Sequence, residues 1–116
     1  MTHFLTNVFE AKEVYSSGDK TYSVSKEKYF TINGLWLAIM EGTPPSEKSY
    51  NHIAFKVSDS DFGMYINRVE ALNVEILKGR DRINGEGRSL YFYDYDNHLF
   101  EIHTGTLKQR LKTYKE

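Results

Sequence analysis

Tyr50-Asn51-His52-Ile53-Ala54-Phe55-Lys56-Val57-Ser58-Asp59-Ser60-Asp61-Phe62 is the stretch on which the fold turns. Tyr50 to Val57 reads as a strand, with Ile53, Phe55 and Val57 on an apolar face and Tyr50, His52 and Ala54 on the other. Ser58 then supplies an N-cap, and Asp59 and Asp61 an acidic first turn. Phe62, Tyr65, Ile66 and Val69 follow at i, i+3, i+4 and i+7, the stripe of an amphipathic helix. Downstream, Val74 to Leu77 predicts a short strand, and then comes a polar loop with Gly79, Gly85 and Gly87. Ser89 to Asp94 and His98 to His103 predict a hairpin across Tyr95-Asp96-Asn97. A last helix starts at Thr106, with Leu107, Leu111 and Tyr114 on one side. This half therefore reads strand–helix–strand–strand–strand plus a terminal helix.

Upstream, Gly42-Thr43-Pro44-Pro45-Ser46 holds both prolines of the chain and breaks any regular element, so it reads as the linker. Before it, Phe4, Leu5, Val8 and Phe9 form a helical stripe that ends before Ala11. Val14 to Ser17 is strand-like and stops at Gly18-Asp19. Thr21 to Thr31 is rich in β-formers, and Gly34 to Met40 reads as a strand. The first half is thus helix–strand–strand–strand. Glu10-Ala11-Lys12-Glu13-Val14 echoes Glu70-Ala71-Leu72-Asn73-Val74 at the same helix-to-strand junction. If the halves are duplicates, the first is expected to lack its opening strand. The layout is then a shortened first module over 1–42, a linker over 43–49, a second module over 50–105 and a C-terminal helix over 106–116.

The chain of 116 residues suits one domain. Lys and Arg number 15 against 16 Asp and Glu, a net charge of −1, which gives no general pull toward nucleic acid or an anionic membrane. With no cysteine, disulfides, thiolate ligands and cysteine nucleophiles are excluded. No apolar run has transmembrane length, and Met1 to Leu5 lacks the features of a signal peptide, so a cytoplasmic protein is expected.

Alternation along the strands of the second half leaves Ser89, Tyr91, Tyr93, Leu99, Glu101 and His103 opposite the apolar face. With His52 they share one surface. Imidazole and carboxylate suit manganese, iron or zinc, which makes His52 and Glu101 a candidate metal pair. The bland readings are a satisfied groove histidine for His52, a solvated edge carboxylate for Glu101 and packing for Tyr91-Phe92-Tyr93. Gly85-Glu86-Gly87 reads as a turn or as an anion-binding loop.

Three strings carry a resemblance. Tyr50 to Phe55, Gly85-Glu86-Gly87-Arg88-Ser89-Leu90-Tyr91-Phe92 and Asp96-Asn97-His98-Leu99-Phe100-Glu101-Ile102-His103 together resemble the vicinal oxygen chelate superfamily, and within it the fosfomycin-resistance proteins. Tyr15 to Thr21 with Ser25-Lys26-Glu27-Lys28 is most similar to their epoxide-hydrolase (FosX) branch. The resemblance implies an α+β fold of paired βαβββ modules, the first here missing its opening strand, in a homodimer with sites shared between subunits. It also implies a divalent metal, usually manganese, with His52 and Glu101 as two of three protein ligands. Glu27 falls where that branch keeps its general base, and Trp36, Tyr50, Arg82, Ser89, Tyr91 and Arg110 match positions that line the substrate pocket. The implied reaction is hydrolytic opening of the fosfomycin epoxide to a diol.

One departure stands out. The family's third ligand is a histidine on the first strand of the first half, and His3 falls instead in the helix after it. Leu37 and Ile39, in the region corresponding to Glu101, offer no replacement. Two alternatives stay open: a transferase adding glutathione or bacillithiol to fosfomycin, and a non-catalytic protein of the same fold that sequesters a small molecule.

Overall fold

The first helix shows how local chemistry sets the boundaries. In the structure, a computed structural model that describes residues 1–77 and 87–115, α1 runs over Thr2–Phe9 and buries Phe4, Leu5, Val8 and Phe9. It ends because Glu10 turns left-handed (φ 53°), so that the Glu10 and Ala11 N–H groups bond back to Thr6 and Leu5 carbonyls at 3.1 and 3.3 Å. Three strands follow: β1 (Lys12–Ser16), β2 (Glu27–Ile32) and β3 (Leu35–Met40), antiparallel in the order β1-β2-β3. Asn33 and Gly34, both at positive φ, make the tight turn whose twist suits the β2–β3 hairpin.

Thr21 to Lys26, expected within a strand, is not one. The β1–β2 ladder closes at Ser16↔Lys28, so these residues are surplus length in the connection, and Tyr22 and Val24 are exposed. On β2, Phe30 and Ile32 are buried on the face that also carries Lys28, whose Nζ reaches Thr2 Oγ1 of α1 at 3.4 Å. The helix therefore covers that face. Glu27, Tyr29 and Thr31 lie on the opposite face, with Trp36, Ala38 and Met40 of β3. The counterpart of Glu101 on that face is therefore Ala38, and not Leu37 or Ile39, which alternation turns to the other side.

The chain divides into two compact units, Met1–Pro45 and Ser46–Glu116. The second contains β4 (His52–Lys56), α2 (Asp59–Ala71), β5 (Ile76–Leu77), β6 (Ser89–Tyr93), β7 (Leu99–His103) and α3 (Leu107–Lys115). Its sheet has the order β4-β7-β6-β5, with β4 and β7 parallel and the remaining pairs antiparallel. This is one βαβββ module followed by a helix. Ser58 caps α2 by accepting the Asp61 N–H at 3.2 Å.

Arg88, on the same face as Leu90 and Phe92, sets its guanidinium 4.5 Å above the Phe62 ring of α2, so α2 covers this face. Phe55, Phe100 and Phe92 stack along it at 6.4 and 6.1 Å. Ile53 is half exposed although it belongs to the covered side. β4 is at the edge of the sheet, and α2 lies over β7. In the first unit, the place beside β3 that β4 fills beside β7 holds no strand among the described residues. No helix among the described residues is long and apolar enough to cross a membrane.

Candidate active site

Register explains why His52 meets Glu101. In the parallel β4–β7 pair, Ala54 lies directly opposite Glu101 and His52 opposite Leu99. The small Ala54 side chain leaves room for the imidazole, two residues along the same face, to reach across. His52 Nε2 comes 3.0 Å from Glu101 Oε1. The other carboxylate oxygen, Oε2, accepts the Ser89 hydroxyl at 2.7 Å from β6. His52 Nδ1 lies 2.8 Å from the Tyr50 carbonyl oxygen. Glu101 is buried, at 5% exposure.

These contacts fix a tautomer. A carbonyl oxygen can only accept, so His52 Nδ1 carries the proton and Nε2 of the neutral ring is a bare lone pair. That lone pair faces a carboxylate oxygen, acceptor to acceptor, and only a cation between them, a proton or a metal ion, makes the contact favourable. An imidazole oriented through its far nitrogen, beside a buried carboxylate oriented through its far oxygen, is the donor set of a metal centre. The residues present fit a divalent ion.

Aromatic rings surround the pair. Tyr50 and Tyr91 lie edge-on to the His52 ring at 5.1 and 5.3 Å and 5.6 Å from each other. Tyr91, paired in register with Glu101, is buried, and Tyr50 is 62% exposed. Tyr91, Tyr93 and Leu99 form one apolar cluster with Leu77 against it. His103, on the same face, lines with Thr104, Gly105, Thr106, Leu107 and Arg110 a hollow of about 120 Å³. The structure thus brings His52, Glu101, Ser89, Tyr50 and Tyr91 together and sets Arg110 beside His103. Arg82, Gly85 and Glu86 lie outside the described residues. His3 is on α1, with its Nδ1 3.1 Å from the Asn7 side-chain amide.

Glu27 opens β2 in the first unit. Its backbone N–H donates to Ser17 Oγ at 2.9 Å, and Ser17 N–H donates to its carbonyl at 3.0 Å. It lines a hollow of about 300 Å³ with Met1, Thr2, Ser16, Gly18, Lys26, Lys28, Ile39, Met40 and Glu41. Tyr29 donates its hydroxyl to Glu27 Oε1 at 2.9 Å. The hydrogen bond to that carboxylate, above all, holds the phenol above its ordinary value, with burial, the carboxylate's charge and Tyr15 acting the same way. Trp36 is 67% exposed and meets the Tyr29 ring edge-on at 5.1 Å.

A second cluster, Asp94, Asp96 and His98, also brings together groups able to bind a metal. Its geometry is that of a turn lock. Asp94 Oδ1 accepts the Asp96 and His98 N–H groups at 2.8 and 2.9 Å, and Oδ2 takes His98 Nδ1 at 2.8 Å. Both oxygens are committed to holding the β6–β7 turn. Neither Tyr29 nor the Asp94 lock was among the residues picked out in the sequence. The signals were present: Tyr29 is two residues from Glu27 on a strand, and Asp94 opens a hairpin turn.

Against known proteins, residues 1–102 match the Glyoxalase/Bleomycin resistance protein/Dioxygenase superfamily. The chain is 57% identical over 115 residues to fosfomycin resistance protein FosX of Listeria monocytogenes serovar 1/2a, covering 99% of this chain and 86% of that protein. It is 40% identical over 123 residues to metallothiol transferase FosB of Staphylococcus haemolyticus, covering 100% and 88%. Among solved structures it is similar, at TM-score 0.88 and 55% identity, to a mutant of FosX from Listeria monocytogenes complexed with Mn(II) and 1S,2S-dihydroxypropylphosphonic acid, covering 97% of this chain and 85% of that one. The βαβββ module, the three sequence strings and these likenesses agree: the chain belongs to the glyoxalase/bleomycin resistance protein/dioxygenase superfamily and, within it, to the FosX branch of the fosfomycin resistance proteins.

Proposed function

We propose that this protein opens the epoxide of fosfomycin with water, in a metal-dependent reaction that yields a vicinal diol. The observation that carries the proposal is the acceptor-facing pair of His52 Nε2 and Glu101 Oε1, held at 3.0 Å on a buried face. The dihydroxypropylphosphonate held with Mn(II) by the Listeria FosX mutant supports the substrate class, because a vicinal diol is what water addition to an epoxide leaves.

His52 and Glu101 would hold the ion, with Ser89 and the Tyr50 carbonyl orienting them. A bound divalent ion supplies Lewis acidity that stabilises the alkoxide developing on the oxirane oxygen. Glu27 takes a proton from water as the water oxygen bonds to a ring carbon and the carbon–oxygen bond of the epoxide breaks. The released oxygen takes up a proton, Glu27 gives up to solvent the one it removed, and the diol is complete with the carboxylate restored. Arg82 and Arg110 suit the phosphonate, since a guanidinium fork can meet two of its oxygens at once. Trp36, Tyr50, Ser89 and Tyr91 line the pocket in this scheme, and Ser89 serves it through Glu101. The protein would work as a cytoplasmic homodimer with sites shared between subunits.

The test is phosphorus NMR of fosfomycin incubated with protein and Mn(II), with and without glutathione or bacillithiol. Diol should form without thiol, and formation should vanish in Glu27→Ala and on chelation. A thiol adduct formed only when thiol is present would move the assignment to the transferase class. Tight fosfomycin binding with no product would make the chain a sequestering protein.

A further inference from the structure

Glu27 has a partner on its own strand. As i and i+2 of β2, Glu27 and Tyr29 project from the same face, opposite Phe30. The phenol donates to Oε1 at 2.9 Å. Its ring is gripped from both neighbouring strands, by Tyr15 of β1 at 4.9 Å and by Trp36 of β3 at 5.1 Å. Ser17 pins the Glu27 backbone at both its N–H and its carbonyl. Main chain and one carboxylate oxygen are thereby fixed, and Oε2 is the oxygen open to a proton.

We propose that Tyr29 is the positioning residue of the base, occupying one oxygen of Glu27 so that the other is presented to the attacking water. This rests on Glu27 being that base. The phenol suits the task because its bond to the carboxylate keeps it protonated beyond the usual phenol range, so the donor persists through any neutral or mildly alkaline working pH. The nearby cations are otherwise engaged: Lys26 pairs with Asp19 at 3.6 Å, and Lys28 turns to the other face, toward Glu13 at 3.1 Å and Thr2. From β3 and α1, Met40, Glu41, Met1 and Thr2 line the hollow that Glu27 enters.

The experiment compares wild type, Tyr29→Phe and Glu27→Gln. In Tyr29→Phe, kcat for fosfomycin hydrolysis should fall about three- to tenfold, the cost of a loosened base, with KM and the midpoint of Mn(II)-induced thermal stabilisation unchanged. Independently of activity, the ring carbon signal of Tyr29 in labelled protein should titrate above the ordinary phenol range and move back toward it in Glu27→Gln. Full kcat in Tyr29→Phe, a rise in KM matching the fall in kcat, or identical Tyr29 titration in wild type and Glu27→Gln would overturn the proposal. Hydrolysis retained by Glu27→Gln would overturn the assignment of the base, and the positioning role with it. An inactive Glu27→Gln beside a fully active Tyr29→Phe would overturn the positioning role alone.

Discussion

Replacing Glu101 with glutamine should have opposite effects on the metal-free and metal-bound protein. In the metal-free protein with the His52 ring neutral, its Nε2 lone pair faces Glu101 Oε1 at 3.0 Å. Glutamine keeps an oxygen for the Ser89 hydroxyl and turns its amide N–H toward Nε2. An acceptor–acceptor contact becomes a hydrogen bond, and a buried charge disappears. The net gain is about 1 kcal/mol, and for a domain of this size that raises the melting temperature by roughly 4 °C. Wild type should respond to Mn(II): at a hundredfold its Kd, bound ion adds about 2.7 kcal/mol, or roughly 11 °C. Glu101→Gln should lose most of that response, because the amide nitrogen facing the ion offers no lone pair. Differential scanning calorimetry in EDTA and then across a Mn(II) series reads both effects. A variant that melts several degrees below wild type in EDTA, or that keeps the full Mn(II) shift, would refute the reasoning.

Three further substitutions probe the scaffold that carries the site. Gly87 sits at φ 80°, and a Cβ there would meet the Thr104 carbonyl oxygen at 2.5 Å, so Gly87→Ala should cost about 2–3 kcal/mol in urea denaturation. Asp94→Ala removes three hydrogen bonds from a side chain only 1% exposed and should cost about 2–4 kcal/mol by the same measurement. Its Mn(II)-induced thermal shift should match wild type; loss of that shift would place metal at the turn. Ser58→Ala removes the cap of α2 and should cost about 1 kcal/mol, measurable as a lower urea midpoint at unchanged slope.

How much of this was legible in the sequence depended on how local each determinant is. Period-two alternation sorted Phe92, Phe100 and Ile102 from Tyr91, Glu101 and Ser89, because the pleat fixes facing residue by residue. Ser58 and the α2 stripe were equally readable, since a cap and a helical face are written within one turn. Pairing is different. The parallel β4–β7 register, which sets Ala54 against Glu101 and lets His52 reach across, pairs residues 47 positions apart, and neither segment encodes it alone. The β-rich composition of Thr21 to Lys26 misled for the same reason: propensity favours extension, but only a partner makes a ladder. The relation of Tyr29 to Glu27 emerges only with the bounds of β2, since i and i+2 share a face only within a strand.

The two units place different chemistry on one scheme. In each, a tyrosine on the second-to-last strand pairs across with the last strand: Tyr29 with Ala38, Tyr91 with Glu101. Two residues before each tyrosine, on the same face of its strand, stand Glu27 and Ser89. The second unit thus places its carboxylate on the last strand and steadies it with a hydroxyl from the neighbour. The first reverses this, with the carboxylate on the second-to-last strand, Ala38 where Glu101 would be, and the tyrosine itself as the steadying donor. Each carboxylate accepts a hydroxyl on one oxygen. In the second unit the other oxygen faces the His52 imidazole at 3.0 Å, an arrangement that favours a cation; in the first no imidazole faces the carboxylate among the described residues, which suits it to accept a proton. The proposed division of labour, Glu101 as metal ligand and Glu27 as general base, rests on this exchange of partners on a repeated frame.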